Sequence, residues 1–177
     1  MKNIVWISLI GVFIFVICII EPARAVIKVG IAGDLSGSAL TAGEQQEIGA
    51  LKAIDHLNDN GGLLGQEIVA ISADDACEGQ QAKAVARQMV SEGVVFVVGH
   101  VCSDASLAVS TIYEEARIIM ISPASTNPKV TDDGGENVFR VIGRDDRQGT
   151  IAGNFLADNH NKANIAIMHD KTSYSLG

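Results

Sequence analysis

The stretch from Val94 to Thr126 decides how the rest of the chain is to be read: V94-V-F-V-V-G-H-V-C-S103, a helical pattern, then I118-I-M-I-S-P-A-S-T126. Both apolar runs are too short for a buried helix and rich in β-branched residues, as parallel strands covered on both faces are. Each run ends in small hydroxyl-bearing residues. In an open α/β sheet ligands lie in the crevice beyond the carboxyl ends of the strands, so Ser103 and Ser125-Thr126 are placed to hold a small anion.

Outward from this pair the chain alternates strand and helix. Val26–Gly33 predicts a first strand and Ile68–Ala73 a second, with Val94–Gly99, Ile118–Ile121 and Val138–Ile142 as the third to fifth and Asn164–Met168 as a sixth. Helices are expected over 46–57, where Ile48, Leu51, Ile54 and Leu57 recur at a spacing of three, then over 80–91, from Ser103 or Asp104 onward, and over 147–159. Asn60-Gly61-Gly62 and Gly93 suit left-handed helix ends. Residues 127–137, with Pro128 and Gly134-Gly135, read as turn. Strict alternation implies right-handed crossovers and an α/β, doubly wound parallel sheet.

The N-terminus carries a different signal. Lys2, the apolar run Ile4–Ile20 and Ala23-Arg24-Ala25 form the pattern of a secretory signal peptide cut after Ala25; a retained membrane anchor is the alternative. Cys18, between Ile17 and Ile19, is a poor lipidation site. Cleavage leaves residues 26–177 and takes the formal net charge from −8 to −9 by removing Lys2, Arg24 and Glu21. A chain so acidic, with no basic run, is a poor partner for nucleic acid or an anionic membrane surface. Two cysteines remain, Cys77 and Cys102. In an exported chain the pair is a disulfide candidate, which would contribute about 3 kcal/mol in the chain-entropy model; in a reducing compartment both would be free thiols.

Little in the sequence supports catalysis. Gly30, Gly33 and Gly37 are not spaced as a dinucleotide fingerprint, and neither a phosphate-loop lysine nor a nucleophile elbow is present. His100 and Cys102 make at most half a metal site. His169-Asp170 follows a predicted strand and mimics a base with its orienter, but such a pair is more often a strand-end hydrogen bond. Ser103 at a helix start joins a hydroxyl to unpaired backbone N–H groups, and with Thr126 it suits one carboxylate; the plainer reading makes both residues caps.

Taken together, S-G at 36–37, D-D-A-C at 74–77, G-H-V-C-S at 99–103, I-S-P-A-S-T at 121–126 and H-D-K-x-x-Y at 169–174 resemble the leucine/isoleucine/valine-binding proteins, the substrate-binding subunits of branched-chain amino-acid ABC importers. The resemblance implies a two-lobed type I periplasmic binding protein that is not an enzyme and uses no cofactor or metal. It implies an apolar amino acid as ligand, an inner-membrane permease as partner, a monomeric state and a periplasmic location. The lobes would divide as 26–144 for an incomplete N-terminal lobe and 145–177 for the start of a truncated second lobe, after a signal peptide over 1–25. By the same likeness Ser103 binds the carboxylate through hydroxyl and amide, Ala124 offers its carbonyl to the ammonium, and Thr126 contacts both. Asp145 lies where the chain passes into the second lobe, Tyr174 covers the ligand side chain, and Cys77 and Cys102 match the family's disulfide. Ala42 departs from the pattern, standing before Gly43 where these binders carry an aromatic, which widens the apolar pocket. A sensory ligand-binding domain is the alternative reading of the same clamshell, an enzyme on a doubly wound scaffold a third, and a fragment that does not fold stably a fourth.

Overall fold

A computed structural model describes residues 25–176; the expected signal peptide therefore lies outside the described residues, apart from Ala25. Five strands form one parallel sheet: β1 (Ile27–Gly33), β2 (Ile68–Asp74), β3 (Phe96–Gly99), β4 (Ile119–Ser122) and β5 (Val138–Arg140), in the spatial order β2-β1-β3-β4-β5. The helices are α1 (Leu40–Asp59), α2 (Gly79–Glu92), α3 (Ser103–Glu115), the short α4 (Lys129–Asp132) and α5 (Asp145–His160). Each strand edge is set in register by parallel pairing, with Val29 opposite Phe96 and Phe96 opposite Ile119. The order reverses between β1 and β3, and that switch point opens a crevice at the carboxyl edge.

The two faces of the sheet are unequally filled. Beneath α2 and α3, Ala86, Met89, Val97, Val109, Tyr113, Met120 and Val130 pack into one core. On the α1 face the buried set is Ile31, Ile54 and Ile68. The expected stripe on α1 is only partly realised: Ile54 is buried, while Ile48 is 59% and Leu57 42% exposed. On a helix of 3.6 residues per turn a spacing of three drifts about 60° each step, so four such positions wind half-way round the axis. Ile48 and Leu57 therefore fall on opposite sides.

Other expectations also shift. α1 begins six residues earlier than its apolar residues suggest, and Lys129–Asp132 forms a helical turn inside the stretch read as loop. The sixth strand does not form: 164–169 has no ladder partner, and Ile167 and Met168 are 90% and 93% exposed. A strand exists by pairing, and among the described residues no partner edge is offered there. α5 likewise buries none of its residues. Among the described residues no helix is long and apolar enough to cross a membrane.

Candidate functional site

The loops after β1, β2, β3 and β4 meet at the carboxyl edge around a cleft of about 500 Å³. It is lined by Ser38, Ala39, Ala42, Ala76, Val101 and Ala124, with Cys77 and Cys102, and by Asp170, Thr172 and Tyr174 from the C-terminal segment. The loops after the strands therefore contribute mostly small side chains to the lining, and the C-terminal segment contributes the aromatic Tyr174. Glu78, Asp104 and Asp170 also line it, with no Lys, Arg or His among the described lining residues.

Buried polar groups hold the loops in place. Asp34, fully buried, accepts from the amides of Ser36 at 3.2 Å, Ala39 at 2.6 Å and Gly37, which curls the loop after β1. Gly43 lets α1 close on this turn, because a Cβ there would overlap the Asp34 carbonyl. Asp74 joins the loops after β1 and β2, accepting from the Leu35 and Ala76 amides at 2.8 and 2.9 Å and from the Ser36 hydroxyl at 2.5 Å. Asp75 accepts from the Cys77 amide at 2.8 Å and pairs with His100 Nδ1 at 2.5 Å, and Cys77 is bonded to Cys102 with Cα atoms 5.3 Å apart. The D-D-A-C motif is thus scaffolding for the cleft. It also accounts for the two candidate metal ligands: His100 is taken by Asp75 and the Tyr113 hydroxyl, Cys102 by Cys77.

The Ser36 hydroxyl, and then the Leu35 and Ala76 amides, outweigh desolvation and hold the Asp74 carboxyl below the usual aspartate range. A carboxyl whose folded pKa lies below its unfolded one stabilises fully above the unfolded value, and that stabilisation is lost as pH falls through the folded value. Acidification through and below the ordinary aspartate range should therefore loosen the turn after β1. Asp74→Asn should be less stable than wild type at neutral pH and flatter in its acid response, read from melting temperature against pH; parallel profiles for the two proteins would remove Asp74 from this role.

The Ser103 end of the cleft has the makings of an anion site. α3 starts at Ser103, and Cys102 before it supplies no side-chain cap. The first amides of α3 lack intrahelical acceptors and point toward the cleft end of the dipole. Ser103 is 1% exposed and its Oγ accepts from the Asn127 amide at 3.3 Å, which leaves the hydroxyl proton unspent among the described residues. Three serines brace this segment from below: Ser122, Ser125 and Ser106 donate to the His100 carbonyl at 2.6, 3.1 and 3.3 Å.

The five expected ligand contacts fall into two groups. Ala124 and Tyr174 line the main cleft, with Ser103 directly between its lining residues Cys102 and Asp104. Thr126 faces a smaller hollow with Ile142, Gly143 and Arg144, and its carbonyl accepts from the Asp145 amide at 3.1 Å. Thr126 Oγ1 and Asp145 Oδ2 are buried without a partner among the described residues. The Ser103–Asn127 bond joins the two groups. His169 and Asp170 make no base-and-orienter pair; Asp170 accepts from the hydroxyls of Ser175 and Thr172 and from the Thr172 amide, which hold its carboxyl down at about 2.

Asn127, Asp104 and Arg140 were not legible as site residues. Arg140 donates to the carbonyls of Ser125 at 3.1 Å, Asn127 at 2.8 Å and Pro128 at 2.9 Å, clamping the loop that carries Ala124 and Thr126. The Asn127-Pro128 dipeptide, a turn initiator, was the one available signal.

A family model described as periplasmic binding protein matches residues 26–177. The chain is 42% identical over 155 residues to the leucine-, isoleucine-, valine-, threonine- and alanine-binding protein of Pseudomonas aeruginosa, covering 88% of this chain and 42% of that one. It is 40% identical over 151 residues to the leucine-specific-binding protein of Salmonella typhimurium, covering 85% and 41%. It therefore spans about two fifths of the length of these relatives. Among solved structures, a branched-chain amino acid transporter substrate binding protein from Streptococcus pneumoniae in complex with isoleucine superposes with a TM-score of 0.71 at 30% identity, over 77% of this chain and 39% of that one. With the parallel sheet, the switch-point cleft and the match over nearly all described residues, the chain belongs to the periplasmic binding protein family.

Proposed function

We propose that this chain carries the first half of the ligand cleft of a periplasmic substrate-binding subunit of an ABC importer, one that takes branched-chain or other apolar amino acids. The observation that carries this reading is the pairing, in one cleft, of a free helix N-terminus at Ser103 with a wall of Ala39, Ala42, Ala76 and Ala124. The first suits a carboxylate and the second an apolar side chain. Ser103 donates its hydroxyl and amide to the carboxylate, the Ala124 carbonyl accepts from the ammonium, and Thr126 contacts both charged groups. Tyr174 covers the side chain, and Asp145 marks the passage from an N-terminal lobe over 26–144 into a second lobe from 145 onward.

The remaining properties follow from this reading. The protein is non-catalytic and monomeric, hands its ligand to an inner-membrane permease, and has no affinity for nucleic acid. A periplasmic location fits the Cys77–Cys102 disulfide, which persists in oxidising compartments. The acidic lining adds a selectivity: Glu78, Asp104 and Asp170 repel a carboxylate that lacks an accompanying ammonium.

Isothermal titration of the full chain tests the site. Ser103→Ala removes a hydrogen bond to a charged group, so leucine affinity should fall about tenfold to a hundredfold. The α-keto acid of leucine should bind wild type more weakly than leucine itself. Equal leucine affinity in wild type and variant would take Ser103 out of the site.

A further inference from the structure

Among the described residues, every long-range hydrogen bond made by 161–176 converges on Ser173. All three of its polar groups are engaged. The amide donates to Asp104 Oδ2 at 3.2 Å, the hydroxyl donates to Asp104 Oδ1 at 2.5 Å, and the carbonyl accepts from Asn127 Nδ2 at 2.5 Å. Tyr174 is the next residue, and Thr172 and Asp170 just before it also line the cleft. A serine with a fully engaged backbone and side chain, in a stretch exposed but for itself and Ser175, is a docking point.

Its two receivers are themselves held. Asp104 is in the first turn of α3, where the helix dipole favours a carboxylate. Asn127, 6% exposed, spends every polar group: its amide on Ser103 Oγ, its carbonyl on Arg140, its Oδ1 on the Lys129 amide at 2.9 Å, and its Nδ2 on Ser173. Asn127 therefore bonds at once to the residue assigned to the ligand carboxylate and to the segment that bears the ligand's cover.

We infer that Asp104 and Asn127 are positioning residues for ligand binding: they dock Ser173, hold Tyr174 across the cleft from the alanine wall, and couple that cover to Ser103. The inference rests on the amino-acid reading for its ligand, while the docking of Ser173 stands on geometry. A ligand under Tyr174 leaves only after the dock opens, so the dock acts on dissociation more than on association.

The test uses the full chain as wild type, Asp104→Ala, Ser173→Ala, the double variant, and Asn127→Asp, which keeps the acceptor for Lys129 but sets a second oxygen against the Ser173 carbonyl. Leucine binding is followed by titration and stopped-flow, and exchange of the Ser173 amide by NMR. Each single variant should weaken leucine binding about tenfold, chiefly through faster release, with the double variant within about twofold of the weaker single one because both break the same contact. Melting temperatures of the Asp104 and Ser173 variants should stay within about 2 °C of wild type, as expected for a partly exposed contact, whereas buried Asn127→Asp is read by the Ser173 exchange rate. The Ser173 amide should exchange more slowly in wild type than in Asp104→Ala. Wild-type affinity in the single variants, multiplicative losses in the double, or affinity that falls only in step with melting temperature would overturn the inference. If wild type bound no amino acid, the ligand reading would fail, and Ser173 exchange would still decide the dock: slower in wild type supports it, equal rates overturn it.

Discussion

Asp75→Ala is expected to destabilise the full chain by about 3–5 kcal/mol, lowering its melting temperature by roughly 10 °C. The Asp75 and His100 side chains are both fully buried, with Oδ2 and Nδ1 2.5 Å apart. The imidazole tautomer with its proton on Nδ1 donates to Asp75 and accepts from the Tyr113 hydroxyl, 3.1 Å from Nε2, so the ring is satisfied at both ends. Burial, and after it the Asp75 charge, pushes the Tyr113 hydroxyl well above the usual tyrosine range, which keeps it a donor. Removing the carboxylate strands the Nδ1 proton and the Cys77 amide in a dry interior, and unmade bonds of this kind cost more than made ones contribute. His100 also carries the carbonyl on which Ser106, Ser122 and Ser125 converge, so its displacement would reach Ser103 three residues on. Combining Asp75→Ala with His100→Leu should recover at least about 1 kcal/mol relative to the summed single losses. A thermal melt of Asp75→Ala within about 2 °C of wild type would refute the network's structural role.

This network shows where reading the residues stopped. The sheet was legible because fully buried parallel strands announce themselves as β-branched runs: V-F-V-V-G and I-M-I-S carry their own register and end at the cleft. Cys77 and Cys102 were legible as a pair because few other fates exist for two thiols in an exported chain. Ser103 and Thr126 were legible as small hydroxyls at strand ends, Ala124, Asp145 and Tyr174 came from resemblance alone, and the geometry adds that Ser103 and Thr126 are joined through Asn127. Asp75, His100 and Arg140 were not legible, because their roles depend on partners 25, 13 and 15 residues away across loops. Local periodicity is blind to such distances. The predicted strand 164–168 failed for the complementary reason: its apolar run Ile165–Met168 is genuine, but a strand needs an edge to pair with, and local sequence does not supply one. The α1 stripe failed because a spacing of three is not a helical face over four repeats.

Arg140→Ala is expected to lower stability by about 2–4 kcal/mol and leucine affinity by at least about tenfold. Arg140 closes β5, and its guanidinium spans the carbonyls of Ser125, Asn127 and Pro128 and the Thr131 hydroxyl, which accepts at 2.6 Å. Drawing the Ser125 and Asn127 carbonyls toward the guanidinium fixes the Ser125–Thr126 and Asn127–Pro128 peptide planes, which flank the Thr126–Asn127 peptide. The Thr126 carbonyl is then left for the Asp145 amide, and Ala124 keeps its place in the cleft lining. Without the fork the Ser125 carbonyl loses its donor, and the Asn127 and Pro128 carbonyls keep only the Val130 amide at 3.1 Å and the Thr131 and Asp132 amides at 3.3 and 3.2 Å; water entering from the partly exposed side restores only some of the lost bonds. Arg140→Lys separates charge from shape: an ammonium keeps the positive charge but cannot span acceptors arranged for a planar fork. The lysine variant should therefore recover less than half of the lost stability and little of the lost affinity. If it instead matched wild type in both urea denaturation and leucine titration, charge alone would account for Arg140, and the loop bearing Ala124 and Thr126 would need another explanation for its shape.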